Sequence, residues 1–251
     1  MTASVAFLCR HPVKSLGEER LEEVVLTAGK HMPWDRVWAV CHGASAFDTE
    51  QPEWVRSRNF VTQTFVPSLA QIEMQYDERS GALTLKHPNA EPITLNPETE
   101  GHRLCDWLEP LAGDMRPGPY RMARLPESGL TDFPDTHLAI NSTRTLAVLE
   151  DASGQSLSPR RFRGNIWIDG LAPWEEFDWL DKEIQLGPVR IKVTDRILRC
   201  NATTANPATG RRDIDLPRLL EERWDHMDFG VYAQVIEGGT LRVGDPVSPA
   251  A

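Results

Sequence analysis

Prolines set the first limit on what this chain can fold into. Nineteen stand among its 251 residues, and twelve of them, from Pro12 to Pro134, interrupt the first half roughly every ten to twenty positions. A proline inside a helix removes a backbone hydrogen bond and clashes with the preceding turn, so long helices are excluded there. Short strands and brief helices remain, and the cadence predicts a β-rich chain. With 40% hydrophobic residues, eight Trp and eight Phe, there is ample material for a core, and disorder is excluded.

Patterning places the elements. Leu21–Leu26 and Arg36–Val40 read as strands joined by a Gly/Pro-containing loop. Ala70–Tyr76 and Ala82–Lys86 flank the turn-rich Asp77–Gly81, which predicts a hairpin. Arg103–Leu111 carries Leu104, Trp107, Leu108 and Leu111 at helical spacing. Residues 113 to 135, rich in Gly and Pro, are the expected seam. Beyond it, His137–Ile140 reads as a strand, and Asn141 or Ser142 can cap a helix over Thr145–Ala152. Asn165–Asp169 and Val189–Thr194 alternate as strands, and Leu216–Trp224 enters a helix at Pro217. Phe229–Ile236 and Thr240–Val243 form a last pair around Glu237-Gly-Gly239. The expectation is about a dozen short strands with a few helices: mostly β, closed or nearly closed.

Charge and length exclude several classes. A net charge of −10 opposes non-specific binding to nucleic acid or anionic membrane. The longest apolar runs, such as Leu146–Leu149, fall far short of a membrane span, and the N-terminus lacks a basic segment of the kind that opens a signal peptide. A cytoplasmic location is expected. The four cysteines (9, 41, 105 and 200) show no paired spacing and read as thiols, three of them as small buried hydrophobes.

Cys200 is different. It follows Arg199 at the end of an alternating strand and precedes Thr203, Thr204 and a Pro/Gly turn. Neighbouring arginines favour a thiolate, the form that attacks or binds metal. The competing reading, a buried cysteine beside solvated arginines, is slightly favoured by the local residues alone. Between Arg160 and Arg212, however, ten Lys/Arg stand against seven Asp/Glu, a surplus of three in an acidic protein. That surplus points to a local anion site suited to a phosphate-bearing small molecule. Lys14 and Ser15, in a Pro-fixed turn, offer an ammonium and a hydroxyl to one anion. Trp174–Trp179 reads as a solvated acidic turn packing its two Trp inward, rather than as a carboxylate pair for acid/base work. No nucleotide-binding glycine motif, zinc-site histidine spacing or nucleophile elbow is present.

Several segments together resemble the MOSC family, named for the C-terminal domain of molybdenum-cofactor sulfurase and including the mitochondrial amidoxime-reducing component. They are His11-Pro-Val-Lys-Ser-Leu16, Trp34-Asp-Arg-Val-Trp-Ala-Val40, Arg161-Phe-Arg-Gly-Asn-Ile166, the stretch from Leu198 to Gly210, Phe229-Gly-Val-Tyr232 and Gly239-Thr-Leu-Arg-Val-Gly-Asp245. The resemblance implies an N-terminal MOSC β-barrel region over 1–125 and a MOSC-type β-barrel domain over 126–251. It further implies a molybdenum cofactor (molybdopterin, Mo) whose metal takes one protein thiolate. Cys200 matches that ligand, and a soft thiolate suits a sulfur-rich metal centre.

By the same resemblance, Lys14, Ser15, Arg36, Ser142, Arg163 and Asn165 match cofactor-binding positions, with Arg199 beside the thiol counted among them. Gly164 replaces the family's proline between Arg163 and Asn165, and Thr64 stands where many relatives carry an arginine. The implied activity is reduction of N-hydroxylated or other N-oxygenated small molecules. Its electrons would come from a separate ferredoxin- or flavoprotein-type protein, since neither a membrane anchor nor a fused ferredoxin-like domain is expected in this chain. Two other readings are a sulfur carrier using a Cys200 persulfide and a molybdopterin-binding protein without turnover.

Overall fold

The computed structural model describes residues 2–135 and 138–249, so His137, at the start of an expected strand, lies outside the described residues. The first half contributes β1 (Ser4–Arg10), β2 (Glu19–Leu21), β3 (Glu23–Leu26), β4 (Trp38–Cys41), β5 (Glu73–Asp77), β6 (Ala82–His87), β7 (Ala90–Leu95), α1 (Gly101–Ala112) and β8 (Arg121–Arg124). The second contributes β9 (Leu138–Ser142), α2 (Thr143–Ser153), β10 (Ile166–Asp169), β11 (Glu183–Leu186) and β12 (Val189–Leu198). It ends with α3 (Leu216–Trp224), β13 (Asp228–Glu237), β14 (Gly239–Arg242) and β15 (Val247–Pro249). The fold is mostly β, as the proline cadence requires.

One eight-stranded sheet, in the order β15-β11-β12-β13-β9-β10-β1-β2, dominates the molecule. Alternation along β12 buries Val189, Ile191, Val193 and Ile197 on one face. Ile166 and Ile168 from β10 and Val231, Ala233 and Val235 from β13 fill the same interior. The sheet curls until β1 meets the chain entering β15: Val5 N–H donates to Asp245 O and Val247 N–H donates to Ala3 O, both at 2.9 Å. Closure of this kind removes the exposed edges that invite aggregation. Strands from the first half therefore complete the sheet of the second.

A second core lies between the three-stranded sheet β5-β6-β7 and α1, with Leu83, Leu85 and Leu95 facing Leu104 and Leu108. Pro110 falls in the last turn of α1, and Gly113 ends it at φ +52°. Ser142 caps α2 by accepting from Thr145 N–H at 3.2 Å. Asp215 caps α3, with Pro217 in its first turn.

Four sequence expectations need correction. Leu21–Leu26 is two strands, because β2 pairs with β1 while β3 leaves to pair with β14. The strand expected at Arg36 begins at Trp38, since Arg36 has a φ of +54°, outside the strand region. Residues 113–135 are more than a seam: they hold β8, which pairs with β4. Finally, β13 and β14 follow one another in sequence but are not partners. β13 lies between β12 and β9, whereas β14 crosses to β3. Gly238 permits that crossing, because a Cβ there would stand 2.5 Å from Leu26 O.

Candidate functional site

Two stretches that are remote in sequence run side by side. Lys14 N–H donates to Trp38 O at 2.7 Å, Arg36 N–H to His11 O at 2.8 Å, and His11 N–H to the Asp35 carboxylate at 2.7 Å. This lattice presents Lys14, Ser15 and Arg36 together. They border a hollow of about 430 Å³ between the halves, with Arg163, Asn165, Arg199 and Cys200 along its other wall. Ser15, Arg36 and Arg163 all adopt left-handed backbone (φ +63°, +54° and +51°) without being glycine. Such conformations are costly and collect where a fold positions functional groups.

Cys200 sits at the mouth. It follows β12 and caps the short turn Asn201–Thr204. Its sulfur is exposed, and Thr64 Oγ1 stands 3.9 Å away. Thr203 fixes the turn by donating its hydroxyl to Cys200 O at 2.9 Å. Arg161 and Arg212 brace the same turn through the carbonyls of Thr203, Thr204 and Asn201. The charge surplus seen in this stretch is thus spent largely on holding backbone. The cations that face the hollow include Arg163 from this stretch and Lys14 and Arg36 from the first half.

Three of the candidate residues serve the scaffold with their polar atoms. Arg199 is buried and points its guanidinium into the wall, donating to Phe229 O (2.8 Å), Phe162 O (2.7 Å) and Asn141 Oδ1 (2.9 Å). Every one of those acceptors is protein, so Arg199 braces the wall that carries Cys200. Asn165 ties β1 to β9, donating to Cys9 O and accepting from Ala139 N–H. Ser142, expected to line the same pocket, is fully buried, caps α2 and does not border the hollow.

The electrostatics of the hollow are those of clustered, partly buried cations. Burial and the neighbouring Arg36 pull the Arg163 guanidinium down to about 9, and one of its terminal nitrogens is buried without a hydrogen-bond partner. Burial likewise lowers the Lys14 ammonium, a shift that Asp132 opposes from 2.8 Å. Behind them, Arg36 pairs with Asp35, whose carboxyl stays well below its usual range despite burial. His11, fully buried, is pushed down to about 3 by desolvation and by Arg163, and is neutral near pH 7.

Several lining residues escaped the sequence reading. Asp132 and Phe133 fall in the irregular 113–135 stretch, and Thr62 and Phe65 carry no motif that marks them. Tyr232 lies inside the Phe229–Tyr232 segment but was not singled out; burial and Asp132 raise its hydroxyl to about 12. Among the described residues no group of three or more His, Cys, Asp or Glu could hold a metal ion, and no helix is long and apolar enough to cross a membrane.

Comparison with known proteins gives this geometry its relatives. Human mitochondrial amidoxime reducing component 2 is 29% identical over 163 residues, covering 60% of this chain and 48% of that protein. Molybdenum cofactor sulfurase 2 of Culex quinquefasciatus is 23% identical over 293 residues, covering 97% of this chain and 36% of that protein. The chain therefore spans about half the length of these relatives or less. Among solved structures, the YUAD protein from Bacillus subtilis is similar at 12% identity and a TM-score of 0.42, covering 98% of this chain and 94% of that one. The model of the MOSC N-terminal beta barrel domain matches residues 2–107, and that of the MOSC domain matches residues 128–248. With both domains matched in order and together spanning most of its length, the chain belongs to the MOSC family.

Proposed function

We propose that the protein binds a molybdenum cofactor in the hollow and reduces N-hydroxylated or other N-oxygenated small molecules. The observation that carries this reading is the convergence of an exposed thiol, Cys200, with Lys14, Arg36 and Arg163 on one cavity. The residues suit such a group: the buried, unpartnered nitrogen of Arg163 calls for an acceptor, and a lone thiolate is a fitting single ligand for a metal otherwise held by sulfur. When bound, the cofactor would supply two-electron oxygen-atom chemistry.

The chain's own residues would divide the remaining work. Lys14 and Arg163 would hold the anionic end, with Ser15 beside them. Arg36, fixed by Asp35 and by the Arg163 carbonyl at 2.8 Å, would keep both loops in register. Cys200 would ligate the metal, and the hollow's remaining space would admit the substrate. Overall, an N-hydroxylated compound, two electrons and two protons give the reduced nitrogen compound and water. The electrons would arrive from a separate ferredoxin- or flavoprotein-type donor.

A second reading rests on the exposure of the thiol: Cys200 would accept a sulfur atom from a donor persulfide, leaving the donor as a thiol. Metal analysis separates the two. Protein made in cells that synthesise the cofactor is expected to carry molybdenum and pterin. Cys200→Ser is expected to lose the molybdenum and about a hundredfold or more of reductase activity, with stability within about 0.5 kcal/mol of the parent because the side chain is exposed. Absence of both molybdenum and pterin, while another molybdenum enzyme from the same cells is loaded, would overturn the first reading. A mass gain of one sulfur atom on Cys200 would then support the second.

A further inference from the structure

Asp132 is the only carboxylate bordering the hollow among the described residues, and it pairs with Lys14, one of the cations that face it. Its Oδ1 accepts from Lys14 Nζ at 2.8 Å and from Ser57 Oγ at 2.6 Å. Lys14 donates also to Leu130 O at 2.7 Å, so two acceptors from one connection cover this ammonium. That connection is itself anchored. Leu130 N–H donates to Arg36 O at 2.7 Å, and Trp54 Nε1 donates to Thr131 O at 3.0 Å. The backbone is thus fixed immediately ahead of Asp132, whose exposed side chain reaches back to the buried Lys14 ammonium.

We infer that Asp132 is a specificity-determining residue, an internal competitor for the anion subsite that excludes small free oxyanions such as inorganic phosphate. This rests on the reading of the hollow as a cofactor site. Two of the three Lys14 N–H donors are taken, so an incoming anion must displace Asp132 or share the ammonium with it against the carboxylate's charge. A free oxyanion has only that subsite to repay the cost, whereas a phosphate carried on a larger scaffold gains contacts along the whole hollow. Discrimination by a built-in opposing charge is an established route to specificity, because it penalises the ligand with the fewest other contacts. Inorganic phosphate is the abundant competitor that an uncovered Lys/Arg pocket would otherwise collect.

Calorimetric titration of the cofactor-free 251-residue protein with inorganic phosphate tests the inference. The wild type is expected to bind phosphate weakly, and Asp132→Asn to bind it about tenfold more tightly or better. Adding Lys14→Ala to that variant is expected to abolish the gain. Glu127→Gln removes the same charge from the same connection, but Glu127 pairs with Lys30, so it is expected to leave phosphate affinity within about twofold of wild type. No gain in Asp132→Asn, a gain that survives Lys14→Ala, or an equal gain in Glu127→Gln would each overturn the inference. The cofactor reading fails separately, through the molybdenum and pterin content of the wild-type protein.

Discussion

Glu176 shows what one buried carboxyl costs. Read from sequence as part of a solvated acidic turn, it is fully buried in the turn Glu175–Trp179. One oxygen accepts from Thr145 Oγ1 at 3.0 Å, and the other has no partner. Desolvation raises the group from 4.5 to about 7. Because the folded form holds its proton more tightly than the unfolded chain, the associated stability is complete below pH 4.5 and is lost as pH rises through 7. Glu176→Gln, which mimics the protonated state, should match the parent at pH 4.5 and exceed it by up to about 3 kcal/mol at pH 8.5. Urea unfolding at the two pH values checks this, and an equal offset at both would contradict it. Residue identity alone did not reveal this burial, nor that Arg199 turns into the wall while its neighbour Cys200 faces out. That Cys200, Lys14 and Arg36 come together follows from the family resemblance, since the local residues alone slightly favour a buried cysteine at 200 and do not mark Arg36; the three do border one hollow. Asp132 was not legible, since its role depends on a pairing 118 positions distant.

Among the elements, strand existence was largely legible and strand partnership was not. Alternation marks β12 and β13 because each buries one face, a property of the local residues. Nothing local says that β14 passes over its predecessor to join β3, across more than two hundred positions. The crossing leaves its trace at Gly238, and Gly238→Ala should push the Leu26 carbonyl away and loosen the β3–β14 pair. A loss of about 2 kcal/mol is expected from such a backbone clash, read as a lower denaturation midpoint with the slope unchanged. The eight-residue hairpin reach from β5 into β6 illustrates the opposite case: Tyr76 pairs with Leu83 across a turn that the sequence announces.

For the molecule as a whole, the boundary between halves is bridged by β1. It pairs with β10 through Leu8 and Ile166 and with β2 through Cys9 and Arg20. A fragment comprising residues 126–251 would lose this strand and expose the edges of β10 and β15. It should therefore be recovered mainly as aggregate, and size-exclusion chromatography of the soluble fraction should show little monomer. A well-behaved monomeric fragment would show that closure by β1 is dispensable.

Only three residues separate the end of β1 at Arg10 from Lys14. The stave that seals the barrel thus continues directly into the anchor for the anion, on a tether too short to let one shift while the other stays. Splitting this protein into two exchangeable modules would dismantle the cavity along with the seam, whereas a tag or inserted domain would be better tolerated at the exposed turn between β6 and β7, which touches neither β1 nor Lys14.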